Sequence, residues 1–205
     1  AFFIMSFIFI KSAQSLQNRA LQLSRCACSR SWRTTHVKSH NNDNSEACYE
    51  YHLPVMLEEC LNYLSIKPGG VYLDCTLGGG GHSKAILDKG GCVIGLDQDS
   101  DAIERASTVC RNYLDEGKME IFQTNFRNAV PTVLSQSKLI RDGNLRGVDG
   151  VLMDLGISSY QIDEASRGFA FSVDGPLDMR MEQSDSDTAS KITAATIVNE
   201  WDVDD

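Results

Sequence analysis

Residues 73–85 read LDCTLGGGGHSKA. An apolar run closes on an acid, four consecutive glycines follow, and His-Ser-Lys opens a helical pattern. Ordered glycine carries a high entropic cost, so four in a row need a reason. Glycine is required where backbone takes positive φ or approaches another group very closely. At a strand-to-helix junction that group is commonly a ligand. The stretch therefore predicts strand, turn and helix with a binding site at the turn.

The flanking sequence extends the pattern. In YHLPVMLEECLNYLSIKPGG (51–70), Leu57, Cys60, Leu61 and Leu64 recur at helical spacing, and Pro68-Gly69-Gly70 ends the helix. VYLDCT (71–76) reads as a buried strand, HSKAILDKG (82–90) as a helix stopped at Gly90-Gly91, and CVIGLD (92–97) as a second strand closing on Asp97. Residues 101–116 form an amphipathic helix through Ile103, Ala106, Cys110, Tyr113 and Leu114. MEIFQTNF (119–126) is a third strand and VPTVLSQSKLI (130–140) a helix with Pro131 near its first turn. VDGVLMDL (148–155) is a fourth strand. Alternation of helices with continuously apolar strands predicts a parallel sheet covered on both faces. Ligands of such sheets bind at the carboxyl ends of the strands, near the switch point. Three of the four strands end in or near a carboxylate there: Asp74, Asp97 and Asp154.

Charge is unevenly spread over the 205 residues. The net charge is −9, yet residues 1–42 hold six bases (Lys11, Arg19, Arg25, Arg30, Arg33, Lys38) and no acid, leaving 13 bases against 28 acids, or −15, in the remainder. The opening AFFIMSFIFI is too short to cross a bilayer, which takes about 20 apolar residues. Its charges follow the apolar run instead of preceding it, unlike a secretory signal. Acid-free, Arg- and Ser-rich sequence fits a mitochondrial presequence, disordered or cleaved, and hence the mitochondrial matrix; the alternative is a disordered basic tail. Met5 reads as the start of translation. The seven cysteines include no C-x-x-C pair and several lie in apolar runs, which predicts no disulfide framework, no zinc or other metal site and a reducing compartment.

Two ligands compete for the glycines. The dinucleotide fingerprint G-x-G-x-x-G, aligned on Gly78 and Gly80, meets Ser83 at its third glycine and fails there. The register of S-adenosylmethionine enzymes, D-x-G-x-G-x-G, fits from Asp74 to Gly80 with Thr76 in the first glycine's place. Asp97 suits both ligands, because a carboxylate has only acceptors and can take both ribose hydroxyl protons. Its plainer reading is an N-cap acid, a role open equally to Asp99 or Ser100. Phe126 could lie against adenine, or in the core.

Residues 149–181 read DGVLMDLGISSYQIDEASRGFAFSVDGPLDMRM: a strand end, a Gly-Ser-Ser turn, then a long irregular loop with two aromatics and a Gly-Pro turn. Loops of that length tend to be functional. This wording, with GGGGHSKAIL and HLPVML, closely resembles the MraW-type family of cytosine-N4 methyltransferases of small-subunit ribosomal RNA, from about His52 to Trp201. The basic leader makes it most similar to the mitochondrial branch. The resemblance implies a Rossmann-like class I S-adenosylmethionine methyltransferase core (α/β) and S-adenosylmethionine as cofactor. It places cofactor contacts at Gly80, Gly81, His82, Asp97, Phe126, Asp154 and Gln161, all of which match in type. Tyr160 and Ala170 stand where the family has Pro or a small residue and Ser. The implied partner is small-subunit ribosomal RNA or the assembling small subunit, with no membrane.

Asp154 is a candidate catalytic acceptor for an amine N–H or a cofactor contact, the cofactor contact being favoured. Asp174, Asp178 and Arg180 read as a lid clamp or substrate contact, with an internal brace favoured for Asp178–Arg180. The resemblance divides the chain into the presequence (1–42), a partial core (43–180) and the start of an inserted helical domain (181–205), truncated after the fourth strand. That predicts an open apolar edge on the fourth strand. It also predicts poor cofactor binding by this polypeptide alone, and marginal solubility and no turnover for 43–205, with much of the RNA-facing surface beyond this stretch. Two other hypotheses are a non-catalytic cofactor-binding or ribosome-assembly factor and an NAD-linked dehydrogenase.

Overall fold

The computed structural model describes residues 6–11, 54–129, 133–143, 147–182 and 192–202, with backbone alone for 6–11 and Leu134. Pro131, the rest of the segment before residue 43 and residues 183–191 lie outside the described residues. In chain order the elements are β1 (Ser6–Lys11), α1 (Leu57–Leu64), β2 (Val71–Asp74), α2 (Gly81–Asp88), β3 (Cys92–Asp97), α3 (Ser100–Val109) and α4 (Arg111–Asp115). They continue with β4 (Met119–Gln123), α5 (Leu134–Gln136), α6 (Lys138–Asp142), β5 (Gly150–Leu155), α7 (Ser159–Asp163) and α8 (Ala194–Glu200).

The sheet runs β1-β5-β2-β3-β4. Strands β2 to β5 are parallel, as alternation with helices demands, because each crossover returns the chain to the same end of the sheet. The chain leaves β2 toward β3 and β4, then crosses back to place β5 on the other side of β2. The topological switch point therefore lies between β2 and β5, where the glycine bend begins. This is the Rossmann-like α/β architecture that the alternation of strands and helices predicts.

Alternate strand residues feed two apolar layers. Tyr72, Val93, Met119 and Leu152 join Leu61, Leu64, Ile86, Ala106 and Cys110 on one face. Val71, Leu73, Ile94 and Leu96 join Ala129, Val133 and Ile140 on the other. With both faces covered, β2 is buried at all four positions, hence its continuously apolar wording ahead of Asp74.

Four expectations change. The predicted open edge of the fourth parallel strand is covered: β1 pairs antiparallel along it, from Ser6 opposite Leu155 to Lys11 opposite Gly150, which satisfies a row of backbone groups that would otherwise template aggregation. The helix over 101–116 breaks at Cys110 (φ −104°, ψ 18°), whose buried side chain lies near Gly80. The helix over 130–140 breaks at Ser137, because Glu120 of β4 accepts the Ser137 hydroxyl at 2.5 Å and the Lys138 N–H at 2.9 Å. The third strand ends at Gln123, and Phe126 opens a 3-10 turn over Phe126–Asn128, capped by Asn125.

The long segment after β5 is also less irregular than expected. It contains α7 and a 3-10 turn at Ala165–Arg167. Ser158 and Gln161 form a capping box, each side chain bonded to the other's backbone N–H. Beyond it the loop folds back on itself: the Met179 N–H donates to the Arg167 carbonyl at 3.0 Å. The Ala194 N–H donates to Asp178 and the Ala195 N–H to Leu177, so the start of α8 is anchored on the same loop. No helix among the described residues is long and apolar enough to cross a membrane.

Candidate functional site

Asp74, Asp97 and Asp154 stand at the carboxyl ends of β2, β3 and β5, adjacent in the sheet. They are not equivalent. Asp74 is 1% exposed. Its Oδ2 accepts the Ser83 hydroxyl at 2.7 Å and its Oδ1 the Thr76 N–H at 3.2 Å, so it braces the bend from beneath. Burial pushes its pKa up against the Ser83 hydrogen bond. Asp97 is only partly covered. Its Oδ2 accepts the Gly78 N–H at 2.8 Å and its Oδ1 the Asp99 N–H at 3.0 Å. Burial raises its pKa too, opposed by those two N–H groups. Each oxygen retains lone-pair capacity for a ligand hydroxyl.

The four glycines divide by task. Gly78 and Gly80 take positive φ (51° and 83°), and Gly80 also lies against Ala106, where an added Cβ would sit at 3.3 Å. A Cβ on Gly81 would fall 2.5 Å from Pro54 of the HLP entry. Gly79 has neither constraint: a Cβ there would meet nothing within 4 Å among the described residues. Three glycines thus shape the bend, and the fourth presents bare main chain to open space beside Asp97. The α2 N-terminus follows at once with no side-chain cap, which favours a negatively charged ligand group.

Thr76 accounts for the departure from an all-glycine register. Its Oγ1 accepts the Asp154 N–H at 2.7 Å and ties the bend to β5 across the switch point. His82 is buried, with Nε2 3.0 Å from the Val55 carbonyl, so this nitrogen bears the proton and donates to backbone. Phe126 is 40% exposed beyond β4. It is linked to the site through Asn125, whose Nδ2 donates to Gln98 Oε1 at 2.9 Å.

A profile of the MraW methylase family matches residues 49–205. The chain belongs to the MraW methylase family. It is 43% identical over 155 residues to the ribosomal RNA small subunit methyltransferase H of Brevibacillus brevis, covering 74% of this chain and 45% of that protein. It is 45% identical over 153 residues to the protein of the same name from Acetivibrio thermocellus, covering 73% and 45%. The chain thus spans under half the length of these curated relatives.

Membership in a methylase family implies S-adenosylmethionine as the methyl donor, and the residues present fit it. Asp97 offers acceptors to a ribose diol, and the open main chain at Gly79 admits a close-lying ligand. Among the described residues no cluster of three or more metal-binding side chains occurs. Burial raises the Cys60 and Cys75 thiols to about 11 and about 12, so neither is a nucleophile at neutral pH.

Against the sequence reading, Gly80, Gly81, His82, Asp97 and Asp154 converge around the carboxyl end of the sheet. Gln161 lies deeper, buried, with Nε2 donating to Asp99 Oδ2 at 2.8 Å. Asp99, not Asp97, caps α3, accepting the Asp101 N–H. Asp178 and Arg180 form the expected brace, Nε to Oδ1 at 2.8 Å and Nη2 to Oδ2 at 2.7 Å, which holds the Asp178 carboxyl below the usual range. Asp174 is exposed on the loop. Tyr160 has a partner in Arg105, whose guanidinium lies 3.3 Å from the ring centroid and pins α7 to α3. Sequence reasoning did not separate Gly79 from its neighbours, gave Thr76 no partner, and missed Arg167. Only the S-x-x-Q capping box at 158–161 was a legible hint that the loop was ordered.

Two outcomes test this division. Gly79→Ala should leave the melting temperature unchanged but weaken S-adenosylhomocysteine binding at least tenfold. Gly80→Ala should instead lose about 1–2 kcal/mol of stability from the left-handed backbone alone. Calorimetric titration and thermal unfolding of both variants check the contrast. Asp74→Asn keeps both hydrogen bonds, since the Ser83 hydroxyl can accept from the amide. A carboxyl whose pKa is raised on folding stabilises below its unfolded value and loses that contribution as pH rises through its folded value. The variant should therefore melt at or above the parent at pH 7.5, with the gap closing on acidification. A lower melting temperature at pH 7.5 would contradict this.

Proposed function

We propose that a protein carrying this chain methylates N4 of a cytosine in small-subunit ribosomal RNA, in the mitochondrial matrix, in support of ribosome assembly. The observation that carries the reading is the Asp97–Gly78 hydrogen bond beside the open main chain of Gly79, within a family match spanning residues 49–205. The name shared by the relatives, ribosomal RNA small subunit methyltransferase H, supports the substrate class. The basic, acid-free residues 1–42 support the compartment.

When bound, S-adenosylmethionine supplies an electrophilic methyl group on its sulfonium. The chain's residues hold and aim. Asp97 accepts the ribose hydroxyls, and Gly79 lets main chain close on the ligand. The cytosine amine is a weak nucleophile because its lone pair is delocalised into the ring. A carboxylate accepting one amine N–H localises that pair, and Asp154, fixed through its N–H on Thr76 and partly exposed at the switch point, is the acceptor we assign. Near-attack alignment of this kind can supply ~7–11 kcal/mol. A base so treated must be unstacked or single-stranded.

The test is methyl transfer from labelled donor to small-subunit RNA by a protein containing this sequence at the length of its relatives, with the modified nucleoside identified. Label on cytosine N4 is expected. Asp97→Ala should abolish donor binding, and Asp154→Ala should slow transfer about 10²–10⁴-fold with donor affinity within a few-fold. Donor binding without any transfer would favour a non-catalytic assembly factor, and label on another atom would reject the cytosine-N4 assignment.

A further inference from the structure

Among the described residues Arg167 is the largest fully buried side chain, at 1% exposure. Its Nη1 lies 3.3 Å from Asp99 Oδ1 and 3.4 Å from Asp101 Oδ2. Its Nη2 donates to Asp99 Oδ2 at 3.0 Å and to the carbonyls of Arg180 and Met181 at 3.3 and 3.0 Å. Nε has no partner among the described residues. Three segments thus meet on one cation: the β3–α3 corner, α7 through Gln161 on Asp99, and the DMRM end of the long loop. Gln98, between Asp97 and Asp99, adds a contact from its Nε2 to Met181 Sδ at 3.3 Å. Asp99 in turn donates its own N–H to Asp97 Oδ1.

The geometry points to Arg167 as a positioning residue for the methyl donor, holding Asp99 so that the Asp97 carboxylate faces the ribose and coupling closure of loop 156–182 to donor binding. This rests on the donor reading above. Arginine is required because only a planar fork reaches three carboxylate oxygens and two carbonyls at once; lysine keeps the charge and loses the fork. Removing one partner of a buried pair leaves the other charge uncompensated. Coupling is reciprocal: if the closed loop favours donor binding, bound donor favours the closed loop.

A protein containing this sequence at the length of its relatives and its Arg167→Lys variant are titrated with S-adenosylhomocysteine and with its 2′,3′-dideoxy analogue. The variant should bind S-adenosylhomocysteine at least tenfold more weakly than the parent and the dideoxy analogue within twofold of it. Equal weakening of both would show a merely structural role and overturn the proposal, as would no change in either. Should the variant not fold, amide hydrogen exchange on the parent decides: S-adenosylhomocysteine should slow residues 165–181 at least tenfold, and an unchanged rate would overturn the coupling. A parent that binds neither ligand defeats the donor reading itself. A parent whose binding needs Asp97 but is indifferent to Arg167 defeats this inference alone.

Discussion

A single carboxylate at the end of β3 sets the geometry on which the rest of the site depends. Asp97 takes the Gly78 N–H on one oxygen and the Asp99 N–H on the other, joining the turn after β2 to the start of α3. Without the first bond the glycine bend loses its anchor on the neighbouring strand. Without the second, the corner bearing Asp99 is no longer aligned with the loop that Arg167 fastens to it. Both partners are backbone groups, so the arrangement follows from strand register and turn geometry.

The arrangement also explains why the site is held under electrostatic load. Asp74 and Asp97 are acids that burial pushes upward in pKa, at the ends of the neighbouring strands β2 and β3, with Asp74 opposite Gly95. Both disfavour the folded state at neutral pH relative to mild acid. Asp74 offsets this by organising the bend through Ser83 and Thr76. Asp97 keeps acceptor capacity toward a ligand, the usual pattern at sites where function opposes stability.

Much of this was legible in the sequence because parallel sheets write themselves plainly. VYLD, CVIGLD and GVLMDL are apolar on both faces and end in or next to an acid, so strand positions and the carboxyl-end site could be read directly. Helix breaks were harder. Nothing local at Cys110 or Ser137 announces an interruption; Cys110 yields to packing near Gly80, and Ser137 yields to Glu120 seventeen residues earlier. The pairing of Ser6–Lys11 with β5 joins segments about 140 residues apart, and no periodicity reports such a partner. Glycines read as one ligand-binding unit prove to have separate tasks, because the neighbours of Gly80 and Gly81 are set by tertiary contacts with Ala106 and Pro54. Arg167 was passed over as one basic residue in a loop; its importance lies wholly in the distant Asp99.

The most direct measurement is a crystal structure, with S-adenosylhomocysteine bound, of a protein containing this sequence at the length of its relatives. The account predicts both ribose hydroxyls within hydrogen-bonding distance of the Asp97 carboxylate, the ligand against the main chain of Gly79, and the Gly78–Asp97 bond intact. A ligand seated elsewhere, or a ribose turned from Asp97 toward solvent, would contradict it.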